Sequence, residues 1–389
     1  MIRLFVFLCL SLPVFAAELS ERQYRQLQAT QELLTAGSYN DVLDDTAELW
    51  AKQEGGLAEA LLLQLRAEAL QQTDQVAESA EVLEVVLANT SLPPDRRIPV
   101  AALLAKTYLM TDNPGKARAV LSSRITADAP DVAPAIKMLM AIAWQTDEGW
   151  GESLPWINGA LSQESSPPEA WLSMKVAAEY RTEQYRAAAG TLRRLIALRP
   201  DNRIWWLQLG GMHQLLNEPE KQLAVYELAN MAGLLNESDQ KDMARLMIAQ
   251  GVPAKSVKIL ENIPEEDSGE LLLVALRSAR DLSEAAERML AQGMSDSRSA
   301  LLQQALRLFY AEGQCARVVD AFSTLTPSML GDSRERGSLT LLAGSCAMET
   351  GQFDDARRFF QQAASMPGVS VQAKRWLDYI SALQHEGLG

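Results

Sequence analysis

An all-α solenoid, a superhelix of about ten helix–turn–helix pairs with a C-terminal capping helix, is the fold this sequence predicts. Three observations carry the prediction. A helix–turn–helix pattern roughly 34 residues long recurs along the chain, cleanest over Arg203–Ala232 and Gly337–Met366. The helix formers Leu, Ala, Glu and Gln are abundant, and hydrophobic residues make up 48% of the chain, enough for a buried core. Aromatics are only 6% and runs of alternating β-branched residues are missing, so nothing asks for a sheet.

In the central unit, Trp206, Leu209 and Gly210 form a W-x2-L-G pattern, and Tyr226 and Ala229 follow the break at Asn217-Glu218-Pro219. Trp206 and Gly210 are four apart, hence on one helix face. Gly210 leaves room for the second helix, Tyr226 fills the space beside it, and Trp206 is expected to be buried between the two. This is the signature of the tetratricopeptide (TPR) repeat. His213 and Gln222 depart from its usual residues. In the last unit Gly344, Phe353, Ala356, Phe360 and Ala363 fall at repeat positions, with Gly351 in the turn.

Weaker units fill the rest. Pairs are expected over Leu19–Gln53, Leu57–Asn89, Ile98–Arg124, Pro134–Leu161 and Pro168–Pro200, then Gln240–Ile263, Gly269–Gln292 and Arg298–Leu325. Val371–His385 reads as a terminal helix with a polar outer face. The irregular stretches 134–165 and 265–297 are where the solenoid can break or change curvature. Ser91–Asp95 and Ser165–Pro168 are turns between helices.

The amino terminus has its own logic. Arg3, the apolar run Leu4–Phe15 and the small residues at Val14 and Ala16 read as a secretory signal peptide over residues 1–16, cleaved after Ala16. The run is too short for a hydrocarbon core of ~30 Å, and no later stretch is longer. Residues 17–389 are then the exported solenoid, not inserted in a membrane. The formal net charge of −14, with no basic block, argues against nucleic acid or anionic lipid as a partner.

Little in the sequence suggests catalysis. There are two histidines, His213 and His385, no metal-ligand spacing, no phosphate loop and no serine with a histidine base, so no cofactor or metal is expected. Glu265-Glu266-Asp267 reads as a solvated turn. Lytic transglycosylases are also exported superhelices, with a catalytic Glu-Ser pair in a separate domain. Here Glu152-Ser153 lies inside the repeats, so the chain is read as no enzyme. After signal removal only Cys315 and Cys346 remain. One begins a second helix and the other ends the next first helix, close enough for a disulfide; two buried free thiols are the alternative.

A solenoid of this kind binds along the exposed faces of its first helices. The residues expected there are Gln208 and Gln214 in the central repeat, and Gln303, Gln304, Arg307 and Tyr310 further on, with Lys106 an isolated cation. That amide-rich lining suits hydrogen bonding to an extended protein segment.

Arg203–Pro264 carries a Trp-Trp doublet (Trp205, Trp206), a Glu-Pro turn (Glu218-Pro219) and a Gly-Val-Pro-x-Lys turn (Gly251–Lys255). In these it resembles the periplasmic tetratricopeptide component associated with TonB systems. About a sixth of the chain carries the likeness; elsewhere it is generic repeat. The resemblance implies a periplasmic, non-enzymatic accessory of the inner-membrane TonB–ExbB–ExbD transducer, which powers uptake of iron–siderophore and similar ligands. Its partners would be periplasmic segments of TonB, ExbB or ExbD. Two other readings stay open: a scaffold for pilus, secretin or exopolysaccharide export, and a partner of a cell-wall enzyme.

Overall fold

The computed structural model describes residues 19–385; the expected signal peptide lies outside the described residues. Helix accounts for 76% of the chain, and no strand occurs among the described residues, so the core is built by helix against helix. The chain divides into two compact units, residues 1–216 and 217–389.

The first unit holds α1 (Glu21–Thr35), α2 (Tyr39–Asp45), α3 (Ala47–Lys52), α4 (Leu57–Gln72), α5 (Val76–Ala88) and α6 (Pro94–Met110). It continues with α7 (Pro114–Ser122), α8 (Pro134–Gln145), α9 (Trp150–Leu161), α10 (Glu169–Arg181), α11 (Tyr185–Leu198) and α12 (Arg203–Leu215). The second unit holds α13 (Pro219–Met231), α14 (Glu237–Ala249), α15 (Pro253–Leu260), α16 (Glu265–Ser278), α17 (Leu282–Ser295) and α18 (Ser299–Ala311). After α19 (Cys315–Thr324) a 3-10 turn (Pro327–Leu330) leads to α20 (Ser333–Glu349), α21 (Phe353–Ala363) and α22 (Ser370–His385). Neighbouring helices pack in succession within each unit, which is the α-solenoid arrangement.

One backbone device sets the repeat. Each turn between a first and a second helix contains a residue with positive φ: Gly37, Asp74, Asp112, Glu148 and Glu183 in the first unit, and Asn217, Gly251, Arg280, Gly313 and Gly351 in the second. They recur at intervals of roughly 33–38 residues, with one shorter step to Arg280. The following N–H then reaches back to a carbonyl in the last turn of the first helix. Gln75 donates to Leu70 at 2.8 Å, Gln184 to Glu179 at 2.7 Å, Gln314 to Phe309 at 2.8 Å and Gln352 to Ala347 at 2.8 Å. This is a Schellman closure, and it satisfies a carbonyl that the helix end would leave orphaned. Proline opens α7, α13 and α15 directly after the turn, where its missing N–H costs nothing.

Packing in the first unit is organised around α4. Its sequence LAEALLLQLRAEAL is apolar on all sides, and the helix is accordingly enclosed. Leu61, Leu62, Leu65 and Ala69 join Leu27 and Val42, whereas Leu63, Ala67 and Leu70 face Val82, Leu83 and Leu104. Arg66 escapes toward the break between α2 and α3, where its Nη1 donates to the Leu43 carbonyl at 2.8 Å. The tryptophan-rich stretch 134–165 forms a regular helix pair, α8 and α9. Arg118 lies over the Trp144 ring at 4.5 Å and bonds the Ala143 carbonyl at 2.8 Å.

In the second unit a core runs from Leu273 on α16 to α22, with Phe309, Phe322, Phe359 and Phe360 at its centre. Close approach of one helix to the next relies on glycine at Gly293 and Gly344. A Cβ on Gly293 would meet Leu302 at 2.7 Å, and one on Gly344 would meet the Phe360 ring at 2.6 Å. Glu265, Glu266 and Asp267 form the first helical turn of α16 rather than a loop, placing acidic residues at a helix N-terminus.

One buried acid costs stability. Glu179 is 3% exposed, and its carboxylate accepts from Thr191 Oγ1 at 2.8 Å, with Lys175 Nζ at 3.6 Å. Burial raises its pKa more than Thr191 and Lys175 lower it. A raised folded-state pKa means that the folded chain holds this proton more tightly than the unfolded chain. Stability therefore falls as pH rises through that window, and the penalty is complete above it. Glu179→Gln keeps an acceptor for Thr191 and removes the charge. It is expected to melt higher than the parent at pH 7, with the gain shrinking as pH is lowered toward the ordinary carboxylate range.

Two substitutions test the turn and the close contact in opposite directions. Arg280→Gly relieves a left-handed side chain and should stabilise by about 0.5–1 kcal/mol. Gly344→Val should destabilise by ~1–3 kcal/mol through overpacking against Phe360. Urea unfolding of both variants measures the two signs.

Candidate interaction face

Within each unit, polar side chains tie one first helix to the next and so fix which faces point outward. In the first unit Gln71 Nε2 donates to Thr107 Oγ1 at 2.8 Å, and Gln145 Nε2 to the Met174 carbonyl at 3.1 Å. In the second, Lys241 Nζ reaches the Asp267 carbonyl at 3.4 Å and Arg298 approaches Glu270 at 3.7 Å. The first helices therefore lie side by side, α4 with α6, α8 with α10, and α14 with α16.

Gln303 belongs to these ties and not to an open face. It was expected to line a groove, but it is buried at 8% exposure. Its Nε2 donates to the Leu330 carbonyl at 3.3 Å and to Glu335 Oε2 at 2.9 Å, directly over Gly331. Gly331 has φ +86°, and a Cβ there would meet both groups at 2.6–2.7 Å. Counting in the repeat put Gln303 on the binding side; the 3-10 turn before α20 covers it.

Gln304, Arg307 and Tyr310 remain exposed, Tyr310 at 47%. Spaced by three, they form one broad stripe on α18. On α16, Glu270, Val274 and Arg277 form a second stripe, with Val274 49% exposed. Neither Arg277 nor Arg307 has an ion pair among the described residues, whereas Arg245 on α14 is paired with Asp242 at 2.6 Å. Val274 and Arg277 were missed in the sequence because the turn before α17 carries Arg280 instead of glycine. Counting back from that left-handed residue places them at the same repeat positions as Arg307 and Tyr310. The face thus offers guanidinium donors beside exposed apolar side chains, a surface that can hold carboxylates and small apolar groups of an extended chain.

Gln208 and Gln214 are exposed on α12 in the first unit. They are six apart, so they do not share one line of the helix. Lys106 is not isolated: it faces Glu68 on α4, whose pKa is raised by burial and lowered by Lys106. His213 is buried at 3% exposure, with Nε2 3.3 Å from Arg193 Nη2, a packed structural position. His385 closes α22.

Of the repeat-core residues in the central unit, Leu209, Gly210 and Ala229 are buried and Tyr226 is half-buried. Trp206 is half-buried rather than enclosed, its indole N–H donating to the Pro200 carbonyl at 2.9 Å. The two helices of that repeat, α12 and α13, belong to different units. In the last repeat Gly344, Ala356, Phe360 and Ala363 are buried together, and Phe353 opens α21 half-buried.

Ser153 is buried, with Oγ donating to the Trp150 carbonyl at 2.7 Å and accepting from Gln145 at 3.2 Å. It is a packing residue of α9. No group of three or more His, Cys, Asp or Glu among the described residues could hold a metal. No helix among them is long and apolar enough to cross a membrane.

Cys315 and Cys346 are joined in a disulfide, with α-carbons 4.7 Å apart. It links the start of α19 to the late part of α20, next to a second pin in which Arg317 holds Glu287 at 2.6 and 2.7 Å. That contact lowers the Glu287 pKa.

No protein-family model matches the sequence, and no curated protein matches it. Among solved structures the chain is similar to the C-terminal part of a TPR repeat-containing protein from Cytophaga hutchinsonii. Identity is 11% and the TM-score 0.42, covering 73% of this chain and 94% of that one. It is also similar to a tetratricopeptide repeat protein from Parabacteroides merdae, at 13% identity and TM-score 0.34, covering 73% and 98%. A third is YrrB, a TPR protein with an unusual peptide-binding site, at 11% identity and TM-score 0.39, covering 47% and 89%. At these scores the fold assignment rests on the helix packing described above.

The disulfide gives a direct test. Non-reducing mass spectrometry of the purified protein should find the peptides of Cys315 and Cys346 linked. Paired Cys→Ser replacement should cost ~2–4 kcal/mol, the usual worth of closing a loop of this order.

Proposed function

We propose that this protein is a non-catalytic, protein-binding scaffold of the periplasm, working as an accessory of a TonB–ExbB–ExbD complex in iron–siderophore uptake. The observation that carries the binding role is the face on α16 and α18, where Arg277 and Arg307 stand without ion pairs among the described residues, beside exposed Val274 and Tyr310. On a chain with a net charge of −14, free cations gathered with apolar groups make a distinctive contact surface. Support for the TonB assignment comes from the residues of Arg203–Pro264 and from the signal-like amino terminus.

In this reading the protein holds an extended periplasmic segment of TonB or ExbD across its first helices. TonB must span the periplasm while ExbB and ExbD stay in the inner membrane. A surface that binds one extended conformation favours one arrangement of those parts, through many modest contacts.

After crosslinking in cells, TonB or ExbD is expected to co-purify with the protein. The double variant Arg277→Glu, Arg307→Glu should lose most of that recovery while melting at the parent temperature. A deletion strain lacking any redundant TonB system should grow poorly on its iron–siderophore source and recover with free iron. Normal uptake in that strain would overturn the TonB role. Recovery of secretin or polysaccharide-export proteins would favour the export-scaffold reading, and recovery of a cell-wall hydrolase the third.

A further inference from the structure

Two residues of the second unit break rules that every other helix pair keeps. The N-cap of a second helix is polar or glycine in each pair except at α15, where it is Val252. The left-handed residue of the turn is glycine, asparagine or an acid in each pair except before α17, where it is Arg280 at φ +61°. Valine is among the poorest N-caps, and a long side chain is disfavoured in the left-handed region. Packing does not explain either choice, since Val252 is 37% exposed and Arg280 is exposed too. Local rules broken without a packing gain are expected where a surface serves binding.

Both residues line the same hollow. It has a volume of about 550 Å³ and lies between the turn from α14 to α15 and the end of α16, with Ile248, Lys255, Ser278 and Ala279 also in its wall. Gly251 and Pro253 of that turn answer to the backbone, one left-handed and the other opening α15. Val252 and Lys255 do not. The charged side chains of the wall are both cations, and no carboxylate lines it among the described residues. Arg280 has no ion pair among them. Lys255 is held by Glu227 at 2.9 Å, which leaves two of its three donors. On a chain with a net charge of −14, this is a cationic recess with an apolar lining.

We propose that the hollow anchors an acidic, aliphatic segment of a partner protein. An apolar side chain of that segment packs on Ile248, Val252 and Ala279, and a carboxylate sits between Lys255 and Arg280. Resting on the reading that the protein holds an extended chain across its first helices, the hollow gives that chain a fixed end. Arg277 lies just before Arg280 at the end of α16, so the recess continues the face on α16 and α18. First helices pack about 8–10 Å apart, so the path from α18 to α14 is about 20 Å, or roughly six extended residues.

Fluorescence anisotropy tests this with the purified full chain and a labelled peptide, Gly-Glu-Leu-Glu-Gly-Glu-Leu-Gly, blocked at both ends. The parent should bind it with a dissociation constant on the order of 100 µM, weakened by salt. The same peptide with glutamine for glutamate should bind at least about fivefold more weakly. Val252→Asn supplies the missing cap and Arg280→Gly relieves the left-handed side chain, so both variants should melt at or above the parent temperature. Both should nevertheless bind the acidic peptide about five- to tenfold more weakly, an opposition of sign that a structural role does not produce. Parent-like affinity in either variant overturns the proposal, as does equal binding of the glutamine peptide or no binding up to about 500 µM protein. The double variant Arg277→Glu, Arg307→Glu separates the two readings. If it alone loses binding, the face stands and the hollow falls; if only Val252→Asn and Arg280→Gly lose it, the hollow stands and the face falls.

Discussion

Everything in this molecule hangs on a short hydrogen bond repeated at the helix turns. A left-handed residue ends each first helix, and the next N–H returns to a carbonyl of that helix at 2.7–3.0 Å in the turns of both units. The closure sends the chain back antiparallel and pairs a carbonyl that the helix end would leave orphaned. It also makes the N-cap of the second helix the residue that seals the first. Within each unit the direction of a second helix is therefore set by its own turn and not by a distant contact. Side chains then need only fill the space the turn has set, as Phe360 does against Gly344.

Polar groups play the complementary part between repeats. Gln71, Gln145 and Gln303 spend their amides on the neighbouring first helix or on the turn leading to it. Each such tie removes a polar side chain from the open face and fixes the rotation of two helices together. What stays exposed is thereby selected: among the described residues the arginines of α16 and α18 keep no acid of their own, whereas Arg317 and Arg118 are held by Glu287 and Asp147.

Much of this could be read in the sequence, for a physical reason. Glycine and alanine at close contacts, and aromatic residues filling beside them, announce themselves by type and spacing. Thus the helix pairs, and the final repeat from Gly344 to Ala363, were legible to within a few residues. Side-chain fate was harder. Gln303 and Gln304 are adjacent and identical in type, yet one is enclosed and the other open. The difference lies in a 3-10 turn whose path depends on Gly331 and Glu335. Trp206 matched the pattern of an enclosed residue but spends its N–H on Pro200. The face on α16 was hidden because arginine, not glycine, adopts the left-handed conformation before α17.

The disulfide between α19 and α20 bears on how such a molecule comes apart. In a linear stack each element leans only on its neighbours, so loss of structure can start at an end and travel inward. From the C-terminal side α22 and α21 can peel away one after the other. The cross-link then stops the process, because α20 cannot leave while it is covalently held to α19. The last two helices are the part that opens first, and their opening takes Phe359, Phe360 and Trp376 out of the core they share with α18. Amide exchange along the second unit would show this as a step at the clamp instead of a smooth gradient.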